Sequence, residues 1–145
     1  MMKKAINLIL LVILAHFTSC SLNDNESIDV DLKNSEWNFV AFNLGDEWTE
    51  RLEDTTVTLR FNSNNTIEGE AGCNSFSGAY ISSGNSIRFN ITGATLINCE
   101  DEINNQETEY LNGIRRARVV AIDQNNLELR ITRNTSLVFR RMLEN

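Results

Sequence analysis

From Trp37 onward the chain repeats one pattern: apolar residues at every second position for a few residues, then a polar turn, with no proline anywhere to interrupt a strand ladder. Trp37, Phe39 and Ala41 alternate first. Val57, Leu59 and Phe61 then alternate with Thr56, Thr58 and Arg60, and Asn62-Ser63-Asn64-Asn65 turns the chain into Thr66 to Ala71. A second hairpin joins Ala79–Ser82 to Ile87, Phe89 and Ile91 through Ser83-Gly84-Asn85. Three later strands carry Val120 and Ile122, then Leu127, Leu129 and Ile131, then Leu137 and Phe139. Period-two burial of this kind predicts about eight strands with one face inward.

One stretch departs from that period. Ile103, Tyr110, Leu111 and Ile114 fall on one face of a helix, and Asn104 with Glu107 three residues later reads as a capping box at its start. The alternative there is a long loop. A mainly β chain with a single helix after the fifth strand predicts a small antiparallel barrel, because closure removes exposed strand edges. Large inward residues (Trp37, Phe39, Phe61, Phe89, Phe139) predict a filled interior, although barrels of this size can also hold a small apolar ligand.

The first twenty residues concern location. Lys3 and Lys4 precede an apolar run from Ala5 to Ala15, about a dozen residues where a spanning helix needs about 20, and Phe17-Thr18-Ser19-Cys20 closes it. This is the pattern of a bacterial lipoprotein signal. Residues 1–19 are expected to be cleaved and Cys20 acylated, with the lipid bilayer as partner and the outer membrane as the favoured site. An ordinary secretory signal or a short anchor is the alternative. Residues 20–34 are polar and acidic and read as a tether; the thirteen from Ser21 to Lys33 reach at most about 45 Å when extended. Residues 35–143 are the expected domain.

Removal of residues 1–19 leaves 126 residues, enough for one modest core, and takes away His16, the only histidine. The usual general base and commonest metal ligand go with it. The remaining chain has 11 basic and 20 acidic residues, which argues against nucleic acid as a partner. Seven arginines (Arg115, Arg116, Arg118, Arg130, Arg133, Arg140, Arg141) are gathered near the end, and are expected to pair across strands with the acidic half or to form a basic face. Acylation of Cys20 leaves Cys73 and Cys99 as an even pair, which in an oxidising compartment normally forms a bridge. Two free thiols, or a metal site with Glu100, Asp101 and Glu102, are the alternatives; neither histidine nor a Cys-x-x-Cys spacing supports a metal. No cofactor is expected.

The most distinctive internal stretch runs from Gly69 to Tyr80, where Gly69, Gly72 and Gly78 imply a bend, a tight turn and a resumed strand. Asn74, Ser75, Phe76 and Ser77 are the candidate binding turn; structurally, Asn74 caps the turn itself. Together with Trp37, Leu59-Arg60-Phe61, Thr95-Leu96-Ile97-Asn98-Cys99, Glu109-Tyr110-Leu111, Leu127-Glu128-Leu129 and Leu137-Val138-Phe139, this stretch resembles the META domain family, whose members include HslJ-like heat-shock proteins. Glu100 stands where that family usually has proline. The resemblance implies a lipocalin-like barrel with a helix and envelope proteins of stress or antibiotic tolerance, with no catalytic residues.

Four functions follow as expectations: a tethered, non-enzymatic protein binding another envelope component; a carrier of a small apolar ligand; a hydrolase using carboxylates among Asp46, Glu47, Glu50, Glu53 and Asp54; and an inhibitor of a secreted enzyme acting through a rigid loop such as Asn74–Ser77. The five carboxylates crowd one polar loop with little to separate their proton affinities, which counts against the hydrolase.

Overall fold

Strands form here where alternate side chains share an interior. The structure, a computed structural model, describes residues 31–142. The elements run β1 (Ser35–Asn43), β2 (Trp48–Glu50), β3 (Thr58–Phe61), β4 (Thr66–Glu70), β5 (Ser75–Ser83), β6 (Ser86–Ala94), α1 (Asp101–Arg116), β7 (Val119–Asp123), β8 (Asn126–Arg130) and β9 (Ser136–Arg141). All pairings are antiparallel, and β9 returns to β1, so the sheet closes in a ring. The fold class is as expected from the sequence, with nine strands in place of about eight.

The ninth strand is β2, three exposed residues inside the stretch read as an acidic loop. It has no buried face and therefore leaves no alternation to read. One edge of β1 serves two strands in turn: Ser35–Asn38 pair with β3 and Ala41–Asn43 pair with β2, while the register shift between Phe39 and Ala41 lies in the pairing with β9 on the other edge. Eight strands complete the ring, and β2 hangs beside β3 as a short flap.

The interior is filled by the ring's own side chains. Trp37, Phe39, Phe61, Ile87, Leu129 and Phe139 are all at most 1% exposed. Phe89 is half-buried beside Phe61 and Tyr80. Trp37 donates its indole N–H to Ser35 Oγ at 2.8 Å, and the Arg141 guanidinium lies 4.4 Å from its ring centre.

The weakest join is β6 to β7, a single register pair at Ser86 and Val119 extended by two backbone bonds, Ile87 N–H to Arg118 O and Val120 N–H to Asn85 O. Beyond it α1 packs against β6 and β9. Tyr110 enters the core among Phe39, Phe76 and Phe139, and its hydroxyl donates to Thr58 O at 2.8 Å. Burial pushes that phenol well above its ordinary pKa, so it stays a neutral donor.

Three sequence expectations change. The helix begins at Asp101 with Glu100 before it, one turn earlier than a capping box at Asn104 and Glu107 requires; neither side chain caps it. Leu32, assigned to the tether, is 2% exposed in the core, and Ser35 Oγ donates to its carbonyl, so the folded unit includes Leu32. Among the described residues its core extends from Leu32 to Phe139. Among the described residues the late arginines make no ion pair with the acidic half. Among the described residues the two ion pairs are Arg60–Glu36, cross-strand neighbours, and Arg130–Glu128 within β8. That hydrogen bond from Arg130 holds the Glu128 carboxyl below its ordinary value. Cys20 and the signal lie outside the described residues.

Candidate functional site: a braced turn and the loop it holds out

Of the three glycines in the Gly69–Tyr80 stretch, only Gly72 has a positive φ, +112°, and makes the turn. Gly69 and Gly78 serve a different purpose: each lets a neighbouring strand's backbone approach where a Cβ would stand. The turn closes through Ala71 N–H to Asn74 O at 2.8 Å.

Glu107, from the middle of α1, holds this turn. Its Oε2 accepts the backbone N–H groups of Cys73 at 3.3 Å and Asn74 at 2.7 Å, and its Oε1 accepts Asn74 Nδ2 at 2.9 Å. Asn74 passes the constraint on. Its Nδ2 also donates to Ile97 O at 3.0 Å, while its Oδ1 accepts Ile97 N–H and Thr95 Oγ1, both at 2.7 Å. An amide side chain has two donor hydrogens and two acceptor positions. All four are used, and Asn74 is 3% exposed, so nothing of it remains for a ligand.

The partner segment is the loop Thr95–Glu100 between β6 and α1. Thr95 N–H donates to Ser75 O, Cys99 is disulfide-bonded to Cys73, and Asn104 from the first turns of α1 grips Cys99 through both its N–H and its carbonyl. Thr95, Ile97 and Cys99 are thus tied down at every second residue. Between them Leu96 projects, 98% exposed, with Ile97 at 61%. Such an aliphatic pair on a backbone with no freedom to fold away is an uncommon use of apolar surface.

Among the turn residues singled out from the sequence, Phe76 is buried, Ser75 is half-buried and Ser77 is exposed. Ser75, Phe76 and Ser77 border an open, polar outer groove crossed by the Arg60–Glu36 pair. The five carboxylates of the hydrolase reading are all exposed: Asp46 and Glu47 before β2, Glu50 on it, Glu53 and Asp54 after it. With Cys73 and Cys99 joined, no thiolate is left for the metal alternative, and among the described residues no group of three or more His, Cys, Asp or Glu is placed to hold a metal. Sequence reasoning missed Glu107 as the brace and Leu96 as the projecting residue. Glu107 is one of four carboxylates in α1, and what singles it out is a turn thirty-odd residues earlier, a relation that only folding creates.

The double variant Cys73→Ser, Cys99→Ser is expected to lose about 3 kcal/mol, the loop entropy a bridge of this span removes from the unfolded chain. Urea unfolding of residues 21–145 with and without reductant measures it. Equal midpoints for wild type in the two conditions would show that the bridge contributes nothing.

Comparison with known proteins agrees with this architecture. The family model described as META domain matches residues 30–143. A comparison with curated proteins returns no match. Among solved structures, a protein from Burkholderia xenovorans determined by NMR superposes with a TM-score of 0.66 at 22% identity, covering 78% of this chain and 85% of that one. A DUF4847 family protein from Bacteroides vulgatus, a crystal structure at 1.00 Å, superposes with a TM-score of 0.60 at 15% identity, covering 79% and 97%. These likenesses concern the fold. The residues matched span nearly the whole folded unit, and the chain belongs to the META domain family.

Proposed function

We infer that this is a lipid-anchored protein of the bacterial envelope that acts by binding another envelope protein, not by turnover, with the Leu96–Ile97 loop as the contact. The observation that carries this reading is the double bracing of the loop, by a saturated Asn74 and by the Cys73–Cys99 bridge, around a leucine left 98% exposed. Association loses less freedom when the contacting segment is already fixed, and burying a fully exposed leucine against a partner adds the apolar contact. The signal-like segment ending in Ser19-Cys20 and the acidic stretch after it support attachment to a membrane through acylated Cys20. The filled interior weighs against an apolar ligand held inside the ring. Stress or antibiotic tolerance is the setting suggested by HslJ-like members of the family.

The test uses the full-length protein in living cells with a photo-crosslinking benzophenone side chain at position 96 or, as a control of similar exposure, at Ile81 on β5. Position 96 is expected to give one discrete adduct with an envelope protein that position 81 does not give. Leu96→Asp should leave stability within about 0.5 kcal/mol, since the side chain packs on nothing, and weaken binding of that protein by about thirtyfold. Identical adducts from both positions, or none from position 96, would remove the loop from the reading.

A further inference from the structure

A second surface, which shares no lining residue with the Thr95–Glu100 loop, has the shape and charge of a small-molecule site. The β2 flap and the chain after it fold back over α1, leaving a groove of about 300 Å³ between them. Phe42, Leu44 and Leu52 form its apolar part. On the helix side, Glu102, Gln106 and Glu109 recur at spacings of four and three, which places them on one face. Glu50 of β2 lines the same groove.

The groove is held open by its own hydrogen bonds. Gln106, 8% exposed, accepts Leu52 N–H at 2.7 Å through Oε1 and donates to Thr55 Oγ1 at 3.0 Å through Nε2, and Thr55 Oγ1 donates to Leu52 O at 2.7 Å. Arg51, next to Glu50, is turned away and donates to the carbonyls of Leu52, Glu53 and Thr55. Among the described residues, the lining therefore contains three carboxylates and no cation. A preformed apolar recess with a few polar groups at its mouth is the general form of a ligand site, and the volume falls at the small end of such sites. Charges of one sign at its mouth repel acids and favour cations.

We propose that this groove binds a small amphipathic cation, whose aliphatic or aryl body lies on Phe42, Leu44 and Leu52 and whose positive head sits among Glu50, Glu102 and Glu109. Neutral amphiphiles gain only the apolar contact, and anionic ones meet repulsion. This site goes beyond the partner-binding reading and does not depend on it: Leu96→Asp leaves it intact.

The probe is octyltrimethylammonium, titrated into isotopically labelled residues 21–145, which contain the whole closed sheet and core, while backbone amide shifts are followed by NMR. Saturable shifts at Leu44, Leu52 and Gln106 are expected, with a dissociation constant of about 1 mM, and octyl sulfate should bind at least about tenfold more weakly. Raising the salt concentration should weaken the cation. The triple variant Glu50→Gln, Glu102→Gln, Glu109→Gln changes only exposed side chains, so the fold should persist; its affinity for the cation should fall by about tenfold while octanol binds as before. Equal binding of octyl sulfate and octyltrimethylammonium would overturn the proposal. So would a triple variant as tight as wild type, or no saturable shift up to about 10 mM.

Discussion

Gly78→Ala is expected to remove most of the stability of the fold. A Cβ at this position would stand 2.9 Å from Ile91 Cα and 3.0 Å from Asn90 C, and would overlap the Asn90 carbonyl oxygen. All three atoms belong to the backbone of β6, so no side-chain rotation relieves the collision. The close approach sits where the β5–β6 register shifts between Ser77 and Gly78. Relief requires parting the longest hairpin of the sheet, and β6 is also the strand whose join to β7 is shortest. Overpacking against immovable backbone places the loss at about 4 kcal/mol, or about 15 °C in Tm. Gly84→Ala provides the contrast: its φ is +56° but nothing lies within 4 Å, so only the backbone preference is lost, about 1 kcal/mol. Thermal and urea unfolding of both variants would decide it, and a Gly78→Ala protein no less stable than Gly84→Ala would refute the close-approach explanation.

Asn74→Asp is expected to be nearly as damaging, although it changes almost no volume. The substitution turns the Nδ2 donor into an oxygen that faces Ile97 O at 3.0 Å and Glu107 Oε1 at 2.9 Å. Two hydrogen bonds become two repulsions, one between carboxylates, at a position 3% exposed. At neutral pH the loss should be about 4 kcal/mol. The pH dependence identifies the cause. The new carboxyl is held protonated in the folded state, so its folded pKa lies above its unfolded value of about 3.9. The folded variant then binds more protons than the unfolded one, and its deficit relative to wild type should be small at acid pH and grow as pH rises through and beyond the carboxylate range. Asn74→Ala, which also leaves Glu107 Oε1 without that partner but adds no charge, should show a deficit of about 3 kcal/mol with far weaker pH dependence. Parallel stability curves for Asn74→Asp and wild type from pH 4 to 8 would exclude carboxylate repulsion as the mechanism.

The elements with their own local signal were legible in the sequence. Alternation marked eight of the nine strands, because a residue that faces a shared interior must be apolar and its neighbours need not be. Helical spacing found Tyr110, Leu111 and Ile114, and the even pair of thiols found the bridge. The glycines were recognised as necessary, but their reasons differ: Gly72 answers to its own φ, which is local, whereas Gly69 and Gly78 answer to the backbone of another strand. Asn74 was legible as a turn residue and not as the clamp on a loop twenty residues later.

What only the tertiary structure decided are the relations between segments. Asn104 and Glu107 suit a capping box as sequence, yet the fold offers Asn104 the backbone of Cys99 and Glu107 three donors at the Cys73–Asn74 turn, and those partners win. β2 exists because the β3 ladder on β1 ends at Asn38 and leaves Ala41–Asn43 of that edge open, not because Trp48–Glu50 have a buried face. Leu32 joins the core although its neighbours in sequence are polar, and closure sets Arg140 and Arg141 of β9 opposite Asn38 and Trp37 of β1 rather than opposite carboxylates. Local pattern records which face of each segment avoids water. Which donors, carboxylates and backbones then meet is set by closure of the ring, and that is where the braced loop and the acidic-rimmed groove arise.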